Sequence, residues 1–193
     1  MKLPERIARP EFWTAAFTGV LAMATLWAIW YARGQLREAH EEAQVQHLLA
    51  FIQQFEQEPM ATYRRQLAEK RLKNEDEPDE LWDELNFFDT IGLLVDRGYL
   101  NETDVWDSFS YWVFDLNADA RDAIEREQRS DPNSFTNFTL LVDRLQHIET
   151  EHHGTTARPT KEEVLDFYRG EATVGLGTPL GPHPHSRNQT RKR

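Results

Sequence analysis

From Leu48 onward, apolar residues recur at three- and four-residue spacing, the period of a helix with one buried face. Leu48, Leu49, Ile52 and Phe55 form the first stripe, and Pro59 ends it. A second helix fits Met60–Lys73, with Tyr63, Leu67 and the stem of Arg71 on one side. The acidic break Asn74-Glu75-Asp76-Glu77 leads to Pro78, a favoured first-turn residue. A third helix from about Pro78 to Asp96 aligns Leu81, Leu85, Phe88, Gly92 and Val95. Gly98 stops it, and Asn101 is placed to cap the next helix. That fourth helix carries Val105, Phe109, Trp112, Leu116, Ala120 and Ile124 in register. Asp131-Pro132 then reads as a cap and first-turn proline, opening a fifth helix with Phe135, Phe138, Leu141, Val142, Leu145 and Ile148 inward. Thr160-Lys161-Glu162-Glu163 is a capping box that opens a short helix with Val164, Leu165, Phe167 and Tyr168. No segment alternates as a strand does. The expected fold is all-α, an antiparallel bundle of about four helices.

Ahead of the bundle the pattern changes. Phe12–Ala32 is 21 residues without a charge, about 31 Å as a helix, matching a hydrocarbon thickness of about 30 Å. Trp13 at one end and Trp30 with Tyr31 at the other suit the headgroup zone and are the expected interface anchors. Six alanines, three threonines and Gly19 dilute the run. These features predict a single transmembrane helix in a cell membrane. Ala22-Met23-Ala24 has the form of a signal-peptide cleavage site. Cutting there would leave Leu26-Trp27-Ala28-Ile29-Trp30-Tyr31 as an apolar N-terminus, so an uncleaved anchor is the better reading. Three basic residues precede the run and two, Arg33 and Arg37, follow it closely, which leaves the side of the body undetermined. Small residues at Ala15 and Gly19, and at Ala24, Ala28 and Ala32, have a spacing that admits a homodimer through the span. The expected organisation is a basic arm at 1–11, the span at 12–32, a stalk at 33–58, an acidic bundle at 59–171 and a disordered tail at 172–193.

Composition narrows the function. The chain has 193 residues and a formal net charge of −11. Residues 33–171 hold 31 acids against 15 Lys plus Arg, a net of −16, so the body repels a phosphate backbone and no nucleic-acid partner is expected. There is no cysteine, which excludes disulfides, thiolate metal sites and a cysteine nucleophile.

Leu85-Asn86-Phe87-Phe88-Asp89-x-Ile91-Gly92, Arg97-Gly98-x-Leu100 and Val105-Trp106-x-x-Phe109-x-x-Trp112 stand out as spaced motifs. Through them the body resembles a family of small bacterial membrane proteins of unknown function. Asp119-Ala120-Arg121-x-x-Ile124, Gln128 and Phe135-x-x-Phe138-x-x-Leu141-Val142 extend the resemblance to about residues 45–150. It implies one N-terminal span followed by a helical domain, and no activity, substrate or catalytic residue.

Candidate chemistry is sparse. Glu149-x-x-His152 has the spacing of a carboxylate-bridged di-metal bundle, but a second copy is missing. With His147, Glu151 and His153 it reads as an exposed helix end, where His suits the negative dipole. His183-Pro184-His185 lies in the polar tail, and Gly175-x-Gly177 lacks the strand and helix of a phosphate loop. No close carboxylate pair sits on an apolar face, and no serine has a nucleophile-elbow context. No catalytic residue, metal or cofactor is assigned. Asn86 and Asp89 share a stripe beside the apolar face of the third helix, where Arg64, Arg65 or Arg121 could reach them. This polar network either sets helix register or forms a ligand pocket floored by Trp82, Trp106 and Trp112. Trp106, Phe109, Tyr111, Trp112 and Phe114 cannot all face one way, so aromatic surface could remain for a partner. Arg187, Arg191, Lys192 and Arg193 reach only the lower limit of a lipid-binding basic cluster. The expected function is a non-catalytic module anchored in a lipid bilayer and acting on an unidentified protein partner, with a membrane-tethered small-ligand sensor as the alternative.

Overall fold

A computed structural model describes residues 10–156 and 158–173, with side chains from residue 17 onward except that of residue 38. The described residues form six helices and no strand: α1 (Pro10–Glu56), α2 (Met60–Leu72), α3 (Asp79–Asp96), α4 (Glu102–Ser130), α5 (Thr136–His153) and α6 (Lys161–Glu171). Two compact units divide between Ala43 and Gln44. Residues 1–9, with most of the basic arm, and 174–193, with the tail histidines and terminal basic residues, lie outside the description.

In the first unit the uncharged run is helical, and its apolar side chains are exposed all round: Phe17, Leu21, Leu26, Trp27, Trp30 and Tyr31 among them. Trp27 stacks on Tyr31 at 5.7 Å. The side chain of the anchor Trp13 is not described. The expected transmembrane helix does not find support here. No helix among the described residues is long and apolar enough to cross a membrane.

The second unit holds the core. It starts at Gln44, not at Pro59, so the end of the expected stalk is part of the bundle. Leu48 and Phe55 are buried, and Phe55 packs against Phe87, Phe88, Phe109 and Trp112 at 5.3–5.5 Å between ring centres. The α4 stripe is buried throughout, from Val105 to Ile124. The Asn101 carboxamide caps α4 by accepting from Thr103 and Asp104 N–H at 2.9 and 3.2 Å. Gly98, at φ +73°, closes α3, and Tyr99 N–H turns back to Leu94 O at 2.8 Å. The Thr160–Glu163 capping box opens α6 as expected. Its backbone packs beside α2 and α4, not beside α5, the helix it follows.

The start of α5 differs from the expectation. Asp131 and Pro132 form a turn, with the Asp131 carboxylate accepting the Asn133 N–H at 3.0 Å, and the helix begins only at Thr136. Its N-cap position is Phe135, left-handed at φ +54°, and Phe135 offers no side-chain acceptor. The acceptor comes instead from α3.

Candidate functional site

Three polar constellations stand out in the second unit. The first joins α3 to α5. Asp89 Oδ1 accepts the Phe138 N–H at 2.8 Å, and Oδ2 accepts the Asn137 side-chain amide at 3.0 Å. Trp82 stacks on Phe135 at 5.7 Å, packing beside the strained residue. One turn beyond Asp89 lies Gly92, where a Cβ would sit 2.2 Å from the Asn137 carbonyl oxygen. Asp89 and Gly92 thus seat the α5 N-terminus on α3, and Asn86 stays exposed at the rim. Trp82, Asn86, Asp89, Glu127, Asn133, Ser134 and Phe135 line an open groove of about 500 Å³.

The second constellation is buried where α2, α3, α4 and α6 meet. Arg64 on α2 is 2 % exposed. Its Nε donates to Glu171 Oε2 at 2.7 Å, Nη2 lies 2.5 Å from the same oxygen, and Nη1 donates to the Phe55 carbonyl at 3.1 Å. The guanidinium lies 3.9 Å above the Phe55 ring, a cation–π contact in a desolvated setting. Trp112 Nε1–H donates to the other Glu171 oxygen at 3.1 Å. Both oxygens of this carboxylate are therefore engaged.

Glu84 on α3 and Asp115 on α4 are also buried. Burial, then the Glu171 charge, push the Glu84 carboxyl up to about 8, with Arg64 pulling the other way. Burial and Glu163 push Asp115 up to about 7. These two were missed in the sequence, although the signal was there. Glu84 falls between Leu81, Leu85 and Phe88 on the core stripe, and Asp115 falls between Trp112 and Leu116. Single carboxyls thus do sit on the apolar faces of α3 and α4, whereas the expectation from sequence concerned close pairs only.

A third constellation lies on the flank. Asp119 Oδ2 accepts from Tyr168 OH at 2.7 Å and from Arg71 Nε at 2.8 Å. Burial and the nearby Asp119 hold the Tyr168 hydroxyl well above its usual range. This triad borders an open groove of about 770 Å³ between the α2–α3 turn, α4 and the start of α6. Neither groove is lined by Glu84 or Asp115.

The four residues expected to share a polar network are not brought together. Arg64 pairs with Glu171, Asp89 binds α5, Asn86 is exposed, and Arg121 is an exposed partner of Glu125 on its own helix at 3.2 Å. Arg65 donates to Thr62 at 3.3 Å instead. The reason is geometric. Arg64 faces the α6 side of α2, whereas Asp89 faces α5. Nor do the three tryptophans floor one pocket: Trp82 meets Phe135, Trp112 meets Glu171, and Trp106 docks at the end of α5. There the indole N–H donates to Glu149 at 2.9 Å, His152 stacks on the ring at 4.9 Å, and His153 Nδ1 lies 2.8 Å from Glu149. Among the described residues no group of three His, Asp or Glu side chains could hold a metal ion.

Among the described residues, a helical bundle with an interior ion pair and open grooves defines a structural class and assigns no chemistry to it. The chain belongs to the DUF4760 family, a domain of unknown function, whose profile matches residues 18–145. The match ends within α5, so α6 and Glu171 lie outside it. No curated protein and no solved structure matches the chain.

Proposed function

We propose that this protein is a non-catalytic, membrane-tethered helical module that acts by contact with another protein. The observation that carries the tether is the uncharged segment of α1, with Phe17, Leu21, Leu26, Trp27 and Trp30 exposed on all its sides. Water is a poor surrounding for such a surface, and a bilayer or a partner helix relieves the cost. In the second unit Asp89 and Arg64 are committed to helix contacts, and Glu84 and Asp115 are walled into the core. That favours a scaffold over an enzyme.

The test is fractionation of cells expressing the full chain with a tag after Arg193. Retention in a carbonate-washed membrane pellet and release by detergent are expected. Leu21→Lys with Leu26→Lys should move the protein out of the pellet, since each charge costs about 3 kcal/mol at mid-membrane. Wild-type protein in the soluble fraction would overturn the tether. Protease treatment of spheroplasts in the same experiment assigns the side of the body.

A small-ligand sensor is the second reading, favoured by the groove beside Trp82 and Asn86. A compound that raises Tm in the wild type but not in Asn86→Ala would support it.

A further inference from the structure

The slot that holds α6 has an unusual charge balance. Glu84 is buried on α3, where it feels the charges of Arg64 on α2, Asp119 on α4 and Glu171 on α6, and acts in turn on Tyr168. Asp119 is already bound by Arg71 and Tyr168. Arg64 is ion-paired with Glu171 through Nε and donates Nη1 to the Phe55 carbonyl, while its Nη2, 2.5 Å from the same Glu171 oxygen, makes no hydrogen bond. Glu84, 3 % exposed, is thus buried under the influence of two other carboxylates, and the cation that acts on it, Arg64, is already ion-paired with Glu171. Asp115 is buried on α4 one turn from Tyr111, which packs on Phe167 of α6 at 5.4 Å, and one turn from Asp119, which accepts from Tyr168 of α6 at 2.7 Å; the Glu163 carboxylate of α6 acts on it. Each of these buried carboxyls therefore feels the charge of a carboxylate that α6 brings with it.

α6 is also separable by its connections. Among the described residues it packs beside α2 and α4 and makes no backbone contact with α5, the helix it follows. It lies beyond the residues that match the family.

We propose that α6 is a proton-linked clasp, docked while Glu84 and Asp115 carry protons and released when these two carboxyls ionise. A buried carboxylate without its own counter-ion is expensive, and the docked state avoids it by holding the proton. Undocking moves Glu171 and Glu163 away and admits water, so both carboxyls become stronger acids. Docking therefore takes up protons, and its equilibrium constant falls as pH rises, by up to tenfold per pH unit for each linked proton. The fall ends near pH 7 for Asp115 and near pH 8 for Glu84, where the docked state itself ionises. Release leaves Arg64 and Trp112 without the carboxylate they share.

Hydrogen exchange on the full chain between pH 5.5 and 9, corrected for the intrinsic rate, tests this. Peptides covering residues 161–171 should lose at least tenfold in protection between pH 6 and 8.5, while those covering Phe88 and Leu141 keep theirs. Glu84→Gln should retain only the part of the fall that ends near pH 7. The double variant Glu84→Gln, Asp115→Asn should be flat. Three results overturn the proposal: a flat wild-type profile, core peptides opening in step with α6, or either variant keeping the wild-type fall.

Discussion

The Asp89 carboxylate on α3 accepts the backbone N–H of Phe138, 49 residues later, at 2.8 Å. It supplies to α5 the cap that Phe135, at the N-cap position, has no side-chain oxygen to make. A helix N-terminus leaves four N–H groups without partners, and a carboxylate also suits the positive end of its dipole. Asp89→Ala should destabilise the second unit by about 1–2 kcal/mol. Asp89→Asn, which keeps an acceptor, should cost less. Urea unfolding of both variants decides it, and equal losses would mean that the contact is not a cap.

Gly92 makes the second half of the same junction. A methyl group there meets the Asn137 backbone, which cannot rotate away as a side chain would. Gly92→Ala should cost about 1–3 kcal/mol and loosen α5. Gly34→Ala is the control, because a Cβ at Gly34 meets nothing within 4 Å. It should be neutral or raise helix content, following the propensity difference of about 1 kcal/mol. Circular dichroism during thermal unfolding would compare the two.

Arg64→Met strands the Glu171 carboxylate in the interior, and a loss of about 3–5 kcal/mol is expected. Adding Glu171→Leu removes the stranded charge and should recover most of that loss, since apolar replacements of a buried pair are often tolerated. A double variant as unstable as the single one would show that the pair does more than neutralise itself.

The raised Asp115 carboxyl gives a pH dependence of known sign. Its unfolded value lies near 3.8 and its folded value near 7, so the folded state binds the proton more tightly. The stability this contributes is fully present below about pH 4 and is lost as pH climbs through 7. Asp115→Asn should flatten that part of the profile, a change on the order of 4 kcal/mol between pH 4 and 8. Urea midpoints across that range would show it, and an unchanged profile would reject burial as the origin of the shift.

Much of the bundle was legible from spacing. The stripes Leu81–Val95, Val105–Ile124 and Phe138–Ile148 are buried as their periods require, and Gly98, Asn101 and Thr160 end or begin helices where local chemistry places them. These features depend on neighbours three or four residues away, and a one-dimensional reading contains them. The motif Asn86-Phe87-Phe88-Asp89-x-Ile91-Gly92 was visible too, but its meaning was not. Phe88 and Ile91 fill the core, Asp89 caps a remote helix, and Gly92 clears space for that helix to approach.

The sequence alone determined an acidic all-helical body, its stripes and most of its helix ends, because hydrophobic periodicity and capping are local effects. Tertiary structure decided which polar residues meet. Arg64 was a candidate partner for Asp89, yet packing turned it toward Glu171, more than 100 residues away. The same packing put Glu84 and Asp115 beside the carboxylates of α6. Ion pairs and proton affinities depend on distance and dielectric in three dimensions, and those exist only once the helices have chosen their neighbours.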